Sequence, residues 1–154
     1  MKQKVLATLM IVALCATSIF YTEFETKAQD MEEDISFSEL LTEDALVGLM
    51  ESQTWGVYLA DGYSVINKIS STKIGAGGTT TAARKCKVST TAIVERQSST
   101  GWGRVTSWTT TVASGYSAMV SKSLTVTTGY NYRVRCLHYA GTDGSSSFTS
   151  NLYM

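Results

Sequence analysis

The chain contains no proline and a single histidine, and beyond Glu51 it has only three carboxylates, Asp61, Glu95 and Asp143. Each shortage removes a class of structure or chemistry. Without proline, turns must rest on glycine, aspartate and serine, which reach the required dihedrals by other means. A catalytic triad needs a base oriented by an acid, yet Asp61 and Asp143 each precede a glycine and suit turns. His138 closes an alternating run and reads as a strand-end residue meeting a loop. Cys86, Cys136 and His138 cannot complete a four-ligand zinc site without a carboxylate, and no spacing suggests one. The acids from Asp30 to Asp34 lack the alternating ligands, central glycine and terminal glutamate of a calcium loop. The glycines between Lys73 and Thr81 lack the Gly-Lys-Ser/Thr of a phosphate cradle and lead into threonines, which reads as a loop or bulge. No catalytic residue, metal site or cofactor is expected, and no nucleic-acid partner.

What is present begins with an address. Lys2 and Lys4 precede an uncharged apolar run from Val5 to about Tyr21, and Thr26 and Ala28 put small residues where a signal peptidase inspects the chain. Residues 1–28 therefore read as a removed export signal, giving a secreted protein with no stable membrane span after cleavage. The alternative is an uncleaved anchor, because the run approaches the roughly 20 residues that cross a bilayer. Leu14 before Cys15 argues against lipid attachment. Residues 29–54 form an acidic arm, flexible or partly helical: from Asp30 to Glu51 there are eight acids and no base. Ser36 and Glu39 fit a capping box, with Phe37, Leu40 and Leu41 on one side of a short helix running toward Met50. So short a helix is marginal in water, and the arm is expected to be mobile and poorly docked.

Residues 55–154 have a different texture, rich in Thr, Ser, Val, Tyr and Gly, with about seven short strands separated by turns. The expected fold is an all-β, antiparallel two-layer sandwich, immunoglobulin- or fibronectin III-like. Two alternating runs organise it. Tyr130, Tyr132, Val134 and Cys136 alternate with Asn131, Arg133 and Arg135; Cys86, Val88, Ala92 and Val94 alternate with Lys85, Lys87 and Ser89. A period of two sends each set to its own sheet face. If the runs pair with Cys86 opposite Cys136, every apolar partner meets inward and a disulfide is favoured in an exported chain. Such a bond would stabilise by roughly 4 kcal/mol in the chain-entropy model. The alternative is two buried thiols. The same pairing places Lys85, Lys87, Arg133 and Arg135 outward on neighbouring strands as one candidate anion-binding patch. This domain carries ten bases against three acids, a net of +7 hidden by the arm. The patch has three readings: it binds polyanions such as wall polymers or acidic glycans, the arm masks it, or it keeps an exposed sheet soluble.

Aromatic residues offer another contact chemistry: Trp55, Trp102, Trp108, Tyr63, Tyr116, Tyr139 and Tyr153. Trp102 and Trp108 share parity, so an unbroken strand puts both on one face, which reads as core. Two family resemblances follow from the motifs. Val94-Glu95-Arg96, Trp102 with Val105, Leu124 six residues before Tyr130, and Tyr132-Arg133-Val134 resemble the later half of a fibronectin type III domain. The resemblance implies a tyrosine corner formed by Leu124 and Tyr130, with Thr128-Gly129 in place of the usual proline. Tyr58 to Gly62, Lys73 to Gly75 with Gly78 to Thr80, Val94 to Arg96, Trp102-Val105-Trp108, Ser121 to Ser123, and Tyr130 to Val134 with His138 resemble an uncharacterised, domain-of-unknown-function family of small exported proteins of Gram-positive bacteria. That resemblance implies export and an all-β domain and carries no functional residue. The expected function is a non-enzymatic binding module at or near the cell surface, with a wall polymer, glycan or surface protein as partner. The alternative is a secreted toxin, antimicrobial or protein-interaction domain that uses exposed aromatics.

Overall fold

A computed structural model describes residues 32–50 and 56–154. The expected export signal, residues 1–28, and Asp30, Glu51 and Trp55, lie outside the described residues. The strands are β1 (Glu32–Asp34), β2 (Leu46–Leu49), β3 (Leu59–Lys68), β4 (Lys73–Ser98), β5 (Gly101–Thr125), β6 (Asn131–Ala140), β7 (Asp143–Phe148) and β8 (Leu152–Tyr153), with one helix, α1 (Phe37–Leu40). All pairings are antiparallel.

The expected two-layer sandwich is present, and a single long hairpin builds both layers. The first half of β4 pairs with β3 and with the end of β5, through Lys73↔Thr125 to Thr81↔Ser117. Its second half pairs with the start of β5 and with β6, through Val88↔Val112 and Val88↔Ala140. The change of neighbour falls between Thr81 and Val88, where the ladder shifts register twice. Extra residues on one strand bend a hairpin, and here the bend carries the sheet from one layer into the other. The first layer runs β2-β3-β4-β5-β1, and the second runs β5-β4-β6 with β7 and β8 beyond.

Between the layers lies a core in which Ile66, Ile74, Ala76 and Leu124 of the first meet Ala92, Val94, Tyr132, Val134 and Cys136 of the second. Burial alternates along β6 as its sequence predicts, with Tyr132, Val134, Cys136, His138 and Ala140 all buried. The second run also points as expected, Val88, Ala92 and Val94 being fully enclosed. Gly78 brings the layers close, because a Cβ there would strike Cys136 Sγ. The glycines read as a loop or bulge thus lie inside a strand, where they set the layer spacing.

Three expectations are corrected. Ala92, not Cys86, stands opposite Cys136, so the register lies six residues from the one that would join the sulfurs. Cys86 lies opposite Gly115, beyond the end of β6, and both thiols are free. Six is even, which is why every inward residue stays inward although its partner changes. The tyrosine that closes the corner is Tyr132, whose hydroxyl donates to the Thr127 carbonyl at 2.8 Å. Tyr130 is 40% exposed and holds Arg96 against its ring instead, while Leu124 is buried as expected.

The third correction concerns the arm. Its capping box forms as expected: Ser36 Oγ accepts from the Glu39 amide and Glu39 accepts from the Ser36 amide. Far from being poorly docked, residues 32–49 strap the first layer from edge to edge. β1 pairs with β5 at Leu124 to Lys122, α1 crosses the outer face, and β2 pairs with β3 at the far edge. Leu40 is fully buried in a gap left by Gly75 and Gly77, where any Cβ would meet its methyls. Phe37 packs edge-on against Tyr63, and Ser121 Oγ donates to the Ile35 carbonyl. Ion pairs Glu33–Lys73 at 2.6 Å and Asp34–Lys122 at 3.1 Å complete the strap. The acids do meet bases of the domain, but not the four bases singled out in the sequence.

Candidate functional site: the open face of the second layer

With the first layer strapped, the outer face of the second is the broad surface that no described element covers. Its centre is Glu95, buried to 6% exposure although its strand faces outward. A carboxylate so enclosed must be paired. Glu95 Oε2 accepts from Arg133 Nε at 2.7 Å, and Arg135 Nε lies 3.2 Å from Oε1, near enough for an ion pair but not aligned as a hydrogen bond. Cross-strand placement explains this, since Arg133 stands opposite Glu95 and Arg135 opposite Ile93 on the adjoining strand.

Arg133 is then clamped by rings. Its guanidinium carbon lies 4.2 Å from the centre of Trp102 and 5.0 Å from that of Phe148. A planar cation between two ring faces gains from both quadrupoles and leaves its remaining N–H groups directed along the surface. Trp102 reaches this face through a bulge. Val94 pairs with Thr106 but Glu95 with Arg104, so Val105 is the extra residue and parity flips beyond it. Trp102 and Trp108 therefore lie on opposite faces, against the expectation for an unbroken strand. Trp108 packs toward the core and its Nε1 donates to Glu32 of the strap.

Toward the bend the face becomes hydroxylic. Thr91 and Thr109 share a hydrogen bond at 2.8 Å, and Ser89 and Thr111 share one at 3.0 Å. Beyond them a shallow depression of about 280 Å³ is lined by Lys87, Ser89, Thr111, Tyr139 and Gly141, with Tyr139 half exposed.

The proposed four-residue basic patch is not assembled. Lys87 lies beside Gly141, whose amide donates to its carbonyl. That places it six residues along β6 from Arg135, about 20 Å at strand rise. The cause is the corrected register, which also leaves Arg133 and Arg135 sharing Glu95. Arg84, Lys85 and Lys87 instead cluster, exposed, at the bend.

His138 is fully buried between the layers rather than at a strand end. Thr80 Oγ1 lies 2.9 Å from its Nδ1 and Ser147 Oγ 2.8 Å from its Nε2. Thr80 and Thr90 donate onward to the carbonyls of Ser89 and Ala118. Both ring nitrogens thus have a hydroxyl partner within the layers. Burial pushes the imidazole pKa down to about 4, opposed weakly by Asp61. Gly62 is required beside it, since a Cβ there would strike the ring. Asp61-Gly62 is accordingly not a turn but part of β3, just past a register shift at Leu59. Asp143 accepts the amides of Tyr58 and Leu59, which hold its carboxyl below the usual range. Burial pushes the Cys136 thiol up, away from ionisation. Among the described residues no group of three or more metal-ligating side chains occurs.

The Glu95 cluster escaped the sequence reading, though one signal pointed to it. Glu95 is the one acid between Asp61 and Asp143, in a stretch with all ten of the domain's bases and many rings. No family model matches the chain, and no curated protein matches it. Among solved structures, the solution structure of CsgH from R. palustris is similar at a TM-score of 0.36 and 17% identity, over 71% of this chain and 91% of that one.

Proposed function

We propose that the chain is an exported, non-enzymatic binding module that recognises a glycan or glycan-bearing wall polymer, outside the cell, through the open face of the second layer. One observation carries the reading: while the first layer is strapped, the second presents Trp102, Phe148 and Tyr139 with Arg133 in a field of serine and threonine hydroxyls. Rings stack on the apolar faces of sugars, and hydroxyl pairs and guanidinium N–H groups complete their hydroxyls. The export-like amino terminus, and the resemblance to small exported proteins of Gram-positive bacteria, support a location outside the cell.

A glycan array with the purified protein at low and high salt tests this, beside Tyr139→Ala and Phe148→Ala. Binding that persists in salt and falls at least tenfold in either variant is the expected result. Arg84, Lys85 and Lys87, exposed together at the bend, favour a second reading in which a polyanion binds there. Binding abolished by salt and indifferent to both ring substitutions would select that reading and reject the first.

A further inference from the structure

Most edges of the described sheet are covered, or are short and charged like the far side of β1, three acidic residues long. β1 covers the end of β5, β2 covers β3, and β7 lies against β2 and β3. At that last edge Gly48 approaches the Phe148 carbonyl so closely that no side chain fits between, and Asp143 takes the amides of Tyr58 and Leu59 where β3 begins. The early part of β5 is different. From Ser107 to Val112 it pairs with β4 on one side, then passes through the shifted register at Gly115, and from Ser107 to Tyr116 no described strand pairs with it on the other side. Proteins guard such edges with lysine, proline, short strands or inward charge. Here the 17 residues from Val105 to Ser121 contain no charged side chain, and the chain has no proline to place.

We propose that this edge is the contact for a second copy of the same chain, the two Ser107–Ser114 segments pairing antiparallel about a two-fold axis near Thr109 to Thr111. A two-fold contact must be self-complementary. This segment is: with the axis at Thr110, Thr109 faces Thr111, Trp108 faces Val112 and Ser107 faces Ala113, and no charged residues meet, because Arg104 falls outside the paired stretch. The hydroxyl pairs that already join Thr91 to Thr109 and Ser89 to Thr111 would continue across the new seam. Glu32 of the strap binds Thr106 and Trp108 through their side chains, before the centre of the pairing. The product is one sheet through both molecules, with two open faces side by side. This inference stands whether or not that face binds glycans.

The test uses the protein as purified from its producing cells. Light scattering over a wide concentration range should show the mass doubling and stopping at two. Amide exchange compared at low and high concentration should slow within Ser107–Ser114. Thr109→Lys with Ala113→Lys, both at exposed positions, should hold the chain monomeric at every concentration while leaving its melting at low concentration unchanged. A monomer throughout, growth beyond two, slowed amides elsewhere, or a dimer indifferent to the two lysines would each overturn the proposal. Should the lysine variant fail to fold, the exchange map of the natural protein decides alone.

Discussion

The two layers of this sandwich are alike in strand direction and twist of register, yet one is closed on both faces and the other on one. The first layer is poor in side chains where the strap crosses it: Gly75 and Gly77 leave a hollow, and Leu40 fills it. The second layer carries Arg133, Arg135, Ile93, Leu137 and Phe148 at the matching positions, and nothing described lies over them. An acidic segment with little strand character therefore supplies both edge strands of the first layer, while the basic segments that looked like a free surface are partly neutralised from within by Glu95. Cover and charge are assigned layer by layer, not along the chain.

The comparison can be broken most forcefully from the strap. Leu40→Ala should cost about 3 kcal/mol or more, read as a fall in the denaturation midpoint, because it removes buried methyls and leaves a cavity that the glycine backbone cannot fill. If Leu40→Ala cost no more than an exposed substitution, the strap would be decoration. Acid acts next, on the group between the layers. The folded pKa of His138 is about 4 against an ordinary 6.5, so over that interval the unfolded chain binds the proton more readily and stability falls as pH drops. The loss should reach roughly 3 kcal/mol and cease to grow below about pH 4. His138→Gln should flatten that part of a pH titration of the melting temperature.

On the second layer, Glu95→Gln keeps the shape but removes the charge between two arginines. Both guanidiniums keep part of their surface in water, so the expected cost is about 1–2 kcal/mol, less than for a fully enclosed pair. Its thermal shift should weaken in Arg133→Gln, because the two substitutions remove one interaction. The smallest effects sharpen the contrast from both sides. Glu33→Gln at the strap's ion pair with Lys73, and Tyr139→Ala on the open face, should each change stability by less than about 1 kcal/mol. The first effect should shrink in salt and the second should not. A large loss from Tyr139→Ala would mean that the open face is structural after all.

Parity was legible in the sequence because it is local. The alternation along β6 and along the second half of β4 needs only the pleat, and every inward residue named from it is buried except the partly buried Cys86 and the exposed Tyr130. Register was not legible. It depends on where distant strands stop, and pairing sulfur with sulfur proposed an attractive but incorrect alignment that moved Lys87 next to Arg135. The helix cap at Ser36 was readable from three residues, but docking of the arm depended on glycines some 35 positions later whose missing side chains make the receptacle. The Trp102 face was hidden by Val105, a single unpaired residue that inverts the pattern without leaving a compositional mark.

The 26-residue strand β4 belongs to both layers. Neither layer can be peeled from the other without disturbing the β4–β5 hairpin that both share, so melting of one should destabilise the other. Heat should find one transition, with the calorimetric enthalpy matching that inferred from its steepness, and a protease should meet either the whole target or none of it.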